Sequence, residues 1–304
     1  MKKWIIGSFC VLAAMVLFIE LFIPSTLVVS SVEMTRCKAA AAFPFLSDEG
    51  QWKRWWPDSS QRAGFHIQRL SYQAVDIGIR NGGQTLDSKM NLLPAGSPDS
   101  SYLHWETQIH CGWSPADRVS NYFRARGLKR EMDGILGQAG LFLDKSENVY
   151  GIRIWEGSTR DTLLIGIRAV QVGIPTDQDI YAKVTRLKQY VAEMHSRQTG
   201  DPMVNVLPME DRRGTYRLMV ALPVGNRIEG KADVEFMRLI PGKYLITEVR
   251  GGPGTVDKAL SALKDYIRDY QRTVMAIPFQ VMVTDRMQVA DSAQWVTRIY
   301  YPVM

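Results

Sequence analysis

In the stretch SSYLHWETQIHC, His104, Glu106, Gln108 and His110 recur at every second residue. Imidazoles and a carboxylate at that spacing leave an extended strand on one face, where they could move protons or hold a metal. The opposite parity, Leu103, Trp105, Thr107, Ile109 and Cys111, is largely apolar. A polar row opposite an apolar one is also what a half-solvated antiparallel strand needs. That reading is preferred: the histidine row faces water, and the Trp105 row faces core or cavity. His66, His104, His110 and His195 show no zinc-ligand spacing, and no metal or cofactor is expected.

Other reactive groups give no stronger pattern. Ser114 sits in GWSPA, which lacks the last glycine of a nucleophile elbow. Cys37 and Cys111 have no paired base in sequence. An exported pair could form a disulfide, but two buried free thiols are the preferred state. RGGPGT, from Arg250 to Thr255, is a glycine-rich loop of the kind that can cradle phosphate. It is neither GxGxxG nor a Walker sequence, and a turn needing positive φ explains its glycines. Asp48-Glu49 and Glu210-Asp211 read as solvated loop charge. No catalytic residue is assigned.

The elements that position these groups begin with an apolar run. Lys2 and Lys3 precede WIIGSFCVLAAMVLFIELFI, Trp4 to Ile23, in which Glu20 is the only charge. About 20 apolar residues span a bilayer core as a helix, and flanking lysines stay in the cytoplasm. The expectation is an uncleaved single-pass anchor over residues 1–25 in the inner membrane of a bacterium, with the rest exported to the periplasm or extracytoplasmic space. A cleaved signal peptide, with Val28 and Ser30 near the cut, is the competing reading. The chain of 304 residues has room for two further domains. Its net charge of +6 comes without any nucleic-acid-reading element, so no nucleic-acid partner is expected.

A repeat organises the second half. YRLMVALPV ends at Val224 and QWVTRIYYPV ends at Val303. Upstream of each lies an alternating run ending in arginine, TLLIGIR at Arg168 and KYLITEVR at Arg250. A helical stripe follows each: Ile180, Val184, Leu187, Val191 and Met194, then Val256, Leu260, Leu263, Ile267 and Tyr270. PMVNVLP and PFQVMV supply the third elements. Each unit reads β-α-β-β, and neither helix can bury its stripe alone, so the two are expected to pair about a pseudo-twofold axis.

PGKY at the strand entry, GGPG before the helix and the closing aromatic-x-Pro-Val together resemble the gyrase-inhibitor-like small-molecule-binding domain, over about Ile152 to Met304. The resemblance implies a ligand cleft between the halves. In that family a glutamate commonly stands two residues before the closing aromatic and attracts cationic ligands; here the position holds Arg298, with Tyr300 on the same face and Met219 as its first-half counterpart. Glu248, on another strand, could substitute for the missing carboxylate. Arg298 in the cleft would favour a neutral or anionic ligand; the alternative is that Arg298 points outward or pairs with Glu248 as a structural ion pair.

Between anchor and repeat, TLVVSSVEMT, KAAAAFPFLSDEGQWKRWWPD, a meander broken at NGG and AGSPDS, and a helix from Pro115 to about Lys145 read β-α-α-β-β-β-β-α. Leu128, Met132, Ile135, Leu136, Ala139 and Leu143 share one face of that helix. This order, with AFPFLSDEGQWKRWWPD, resembles the START-like polyketide cyclase (SRPBCC) superfamily, which implies a curved sheet gripping a helix around an apolar cavity. Trp52, Trp55 and Trp56 are read as core, with a membrane-facing rim as the alternative.

The expected fold class is therefore α+β: a membrane helix, a helix-grip antiparallel sheet domain over 26–148, and a tandem β-α-β-β domain over 149–304. The expected function is non-catalytic binding of an apolar or amphipathic small molecule, with Arg298, Tyr300, Glu248, Met219 and Trp105 as ligand contacts. A hydrolase or cyclase using one pocket, and an envelope protein with both pockets collapsed, are the alternatives.

Overall fold

The computed structural model describes residues 2–56, 64–81, 84–159, 162–239 and 241–304. The turn at Gly82-Gly83 and the end of the tryptophan-rich segment after Trp56 lie outside the described residues, as do the side chains of Lys2, Lys3 and Trp4. The chain divides into two compact units, 1–145 and 146–304.

The first unit opens with helix α1 (Lys2–Phe22). Most of its described side chains are apolar and exposed, with Phe9 at 70%, Leu17 at 70% and Leu21 at 78%. Among the described residues no helix is long and apolar enough to cross a membrane, so the expected anchor is not carried by the structure. The end of α1 is held firmly. Arg118 lies 2.7 Å from the Glu20 carboxylate and donates to the carbonyls of Glu20, at 3.2 Å, and Ile23, at 2.8 Å. These are carbonyls a helix C-terminus leaves unpaired, and the arginine sits at the negative end of the dipole. The sole charge in the apolar run thus has a buried partner.

Strand β1 (Thr26–Thr35), helices α2 (Ala39–Leu46) and α3 (Glu49–Trp52), strands β2 (Phe65–Ser71), β3 (Ala74–Asn81), β4 (Gln84–Pro94) and β5 (Ser101–His110), and helix α4 (Pro115–Leu143) complete this unit. The sheet runs β1-β5-β4-β3-β2, antiparallel throughout. The element order is the one expected. All six residues of the predicted stripe on α4 are buried. Where α4 crosses β1, buried hydroxyls face it: Ser31 donates to Asp133 at 2.6 Å and Thr35 to Asp144 at 2.9 Å. The sheet face is filled by aromatics. Trp56 packs at 4.8 Å from Phe65 and 6.2 Å from Trp105, with Trp52 and Trp55 behind it at 5.2 and 5.3 Å. Trp52, Trp55 and Trp56 are all buried, so they are core and not a membrane-facing rim.

The second unit contains α5 (Ser146–Tyr150), β6 (Trp155–Gly157) and two successive modules. The first is β7 (Leu163–Val172), α6 (Asp177–Glu193), β8 (Met203–Pro208) and β9 (Thr215–Pro223). After β10 (Glu235–Arg238), the second is β11 (Lys243–Arg250), α7 (Pro253–Asp269), β12 (Phe279–Met282) and β13 (Val296–Val303). One sheet takes both, in the order β10-β7-β9-β8-β12-β13-β11-β6. Ile180, Val184, Leu187 and Val191 of α6 pack on Ile165, Leu218 and Val220. Val256, Leu263 and Ile267 of α7 pack on Leu245, Ile299 and Tyr301. Both helices therefore cover one sheet face, as the repeat implied. Met194 departs from the predicted stripe: α6 ends before it, and its side chain is exposed.

Local chemistry sets the helix starts. Thr176 and Asp179 form a reciprocal capping box on α6, and the Thr176 backbone N–H holds the Asp179 carboxyl below its ordinary range. Before α7, Gly251 has φ +140°, and a Cβ there would meet the Thr255 hydroxyl at 2.4 Å. The glycine of RGGPGT serves the turn.

The halves meet at a short seam, in which Val204 faces Gln280 and Met203 faces Val281. Arg286 reinforces it: it lies 2.9 Å from Asp177 of the first module, donates to Thr297 Oγ1 of the second at 3.0 Å, and stacks over Trp295.

Candidate functional site

The sheet face away from the helices carries Leu164, Met203 and Ala221 from the first module and Tyr244, Ile246, Phe279 and Val281 from the second. Ladder register shows which of these correspond. Arg168 faces Met219 and Gly166 faces Ala221, while Glu248 faces Arg298 and Ile246 faces Tyr300. Since Met219 and Arg298 hold matching places in the closing strands, Glu248 corresponds to Arg168. The strand-end equivalence of Arg168 with Arg250 read from sequence is thus two residues out.

The aligned pairs differ in size in a consistent direction. Leu164 stands opposite Tyr244 in the comparison, Gly166 opposite Ile246, and Ala221 opposite Tyr300. In the second module Phe279 and Tyr300 stack at 5.0 Å, and Tyr244 meets each edge-on at 5.9 Å. Aromatic rings fill that side, and on the first side the smaller Leu164 and Ala221 border a hollow. The result is a cavity of about 850 Å³ whose walls include Met203, Met219, Ala221, Tyr244 and Phe279.

The sheet curls to enclose this space. β10 and β11 stand six ladder steps apart in the sheet, about 29 Å if it were flat at roughly 4.8 Å per step. Yet only residues 239–242 join them, and Arg238 to Lys243 can span no more than about 18 Å of extended chain. The two edges must approach, and Leu239, Pro241 and Gly242 of the link between them line the cavity. Met237 occupies the space that Gly166 leaves; a Cβ on that glycine would meet the methionine Cε at 2.8 Å. On another side Asn205 donates to the carbonyl of Pro278 at 2.5 Å, fixing the segment whose Met275 and Ile277 line the cavity and are exposed at its rim.

The wall is apolar and adaptable. Met203, Met219, Met237, Met275 and Met304 all line it, and unbranched thioether chains repack around ligands of different shape. Cavities of about 300–1,000 Å³ with few polar groups are typical of small-molecule sites. The lining side chains that can hydrogen-bond are Asn205, Arg238, Lys243 and Tyr244, and no described lining side chain is a carboxylate, imidazole, thiol or hydroxymethyl group.

Of the residues expected to touch ligand, Met219 lies in this wall. Tyr300 stands behind it, stacked under Phe279. Arg298 is on the same sheet face but points its guanidinium at Glu248: Nε and Nη2 reach one carboxylate oxygen at 2.9 and 2.6 Å. The Glu248 carboxylate holds the Arg298 guanidinium still more firmly protonated. The two are 38% and 40% exposed, and each neutralises the other. Trp105 belongs to the first unit, where it is fully buried and donates to Ser88 Oγ at 2.9 Å.

The histidine row lies on the solvent side of its sheet. His104 meets Ser30 at 3.0 Å and His110 meets Thr26 at 3.2 Å, both across β1. Among the described residues no group of three His, Cys, Asp or Glu could hold a metal. Cys37 and Cys111 are buried and not joined in a disulfide, and burial pushes the Cys111 thiol up against the opposing pull of Arg118.

No family model matches the chain, and no curated relative matches it either. Among solved structures it is similar to EcmrR in a complex with DNA and RPo, at 14% identity and a TM-score of 0.46, over 63% of this chain and 72% of that one. It is similar to SAV2435 bound to tetraphenylphosphonium, at 21% identity and a TM-score of 0.35, over 50% and 94%. A hydrolase from Listeria innocua is similar at 11% identity and a TM-score of 0.37, over 51% and 94%.

Proposed function

We propose that the second unit is a gyrase-inhibitor-like domain that binds an apolar or amphipathic small molecule without transforming it. The observation that carries this is the methionine-lined cavity of about 850 Å³ over the smaller residues of the first module. Hydrolysis or cyclisation needs a positioned nucleophile, base or acid. The described lining supplies an amide, a phenol and two cations, which favours binding over reaction. Native mass spectrometry of the purified chain should show a co-purifying apolar molecule. Its absence, together with failure of added alkyl amphiphiles to bind, would remove the reading.

The first unit is proposed as a START-like scaffold in which the aromatic cluster occupies the place of an open pocket. Helix α1 is proposed to anchor the chain in the inner membrane of a bacterium. Its exposed apolar side chains support this, because an uncovered hydrophobic helix needs an apolar partner. Both domains then stand outside the cytoplasm, with Lys2 and Lys3 inside. A reporter fused after Met304 is expected to behave as exported. Cytoplasmic reporter activity would overturn the orientation.

A further inference from the structure

We infer that the ligand carries an anionic head, which Arg238 and Lys243 hold at the cavity mouth. This rests on the proposed binding function and names the ligand class. The two cations stand at the ends of the short link whose Leu239, Pro241 and Gly242 line the cavity, one closing β10 and the other opening β11. Both line the cavity and both are exposed. Neither has an ion pair or side-chain hydrogen bond among those found for the described residues.

The nearest carboxylate in sequence, Glu235, is already 2.9 Å from Arg168. The described lining offers no acidic side chain at all. A cationic ligand would therefore meet two positive side chains with no acidic side chain of the described lining beside them. A carboxylate, sulfate or phosphate would accept charge-assisted hydrogen bonds from both, while its alkyl part replaces water against the methionine wall. The arrangement gives the anionic preference expected from Arg298 to other residues, since Arg298 is matched by Glu248.

The test uses the full chain in lipid nanodiscs, titrated below micelle formation with dodecanoate, dodecanol and dodecyltrimethylammonium. Ala221→Tyr, which fills the cavity, serves as the blank. Dodecanoate should bind about tenfold or more tighter than the other two, the effect of one charge-assisted hydrogen bond or more. Added salt should narrow the gap. Arg238→Gln with Lys243→Gln should abolish the preference while dodecanol binding persists, and Arg212→Gln, an exposed loop cation, should leave it unchanged. Equal binding of the three probes, or tightest binding of the ammonium, overturns the anionic head but leaves the cavity as a binding site. No binding beyond the blank overturns both.

Discussion

Replacing Trp105 by alanine is expected to cost the first unit about 3–5 kcal/mol, the range for deleting a large buried aromatic. The indole is fully buried, and its neighbours cannot close the gap by small movements. Trp56 and Phe65 lie against it at 6.2 and 5.7 Å and are themselves buried. The deletion also strips a partner from Ser88, whose hydroxyl accepts from Trp105 and donates to the Ile77 carbonyl at 2.7 Å. Ser88 can keep the second bond, so the cavity dominates the loss. Denaturant unfolding of the full chain should show an early transition in the first unit and an unchanged one in the second. A loss below about 1 kcal/mol would mean that the indole lines an open, relaxing pocket, the ligand-contact role first expected of it.

Ala221→Tyr should weaken binding of any cavity ligand by about thirtyfold or more, since a phenol would occupy the space the ligand needs. The other module already accepts this side chain at the matching place, Tyr300, on the sheet face away from the helices. The strand should therefore tolerate the ring, at an overpacking cost of about 1–3 kcal/mol. Met203→Phe, which copies Phe279, gives a second route to the same closure. Calorimetry on both variants, with thermal melts to confirm folding, decides the matter. Unchanged affinity in two folded variants would place the ligand elsewhere.

The repeat was the most legible part of the fold because its evidence is redundant. Two helix stripes, two proline-opened strands and two Pro-Val endings must all agree before one module can be written twice. β6 and β10 were not foreseen; three- and four-residue edge strands have too few residues to show a period. Met194 was misassigned because a helical spacing continues past the point where the backbone turns. The strand-end arginines misled by resemblance: both end alternating runs, yet only the ladder shows that Glu248 takes the place of Arg168.

Much of the site was hidden for a similar reason. A hollow is made by what is missing, and small residues in a strand look like weak strand formers. The signal was still present in the paired endings, VALPV against IYYPV, where alanine stands at the position of a tyrosine. Arg298 drew attention as a charge. Its pairing with Glu248 stood as one of two readings, because the choice depends on strand register, which alternation alone does not fix.

The Arg118 clasp has a mechanical meaning. Only Ile23, Pro24 and Ser25 separate α1 from β1; Ile23 is bonded to Arg118, and the carbonyl of Ser25 accepts from the Cys111 amide at 2.8 Å. Nothing there behaves as a flexible tether, whose end would wander over a volume set by its length. Whatever surface holds α1, the first unit meets it as a lever of 21 residues, about 30 Å long, with its pitch set at the fulcrum by one guanidinium.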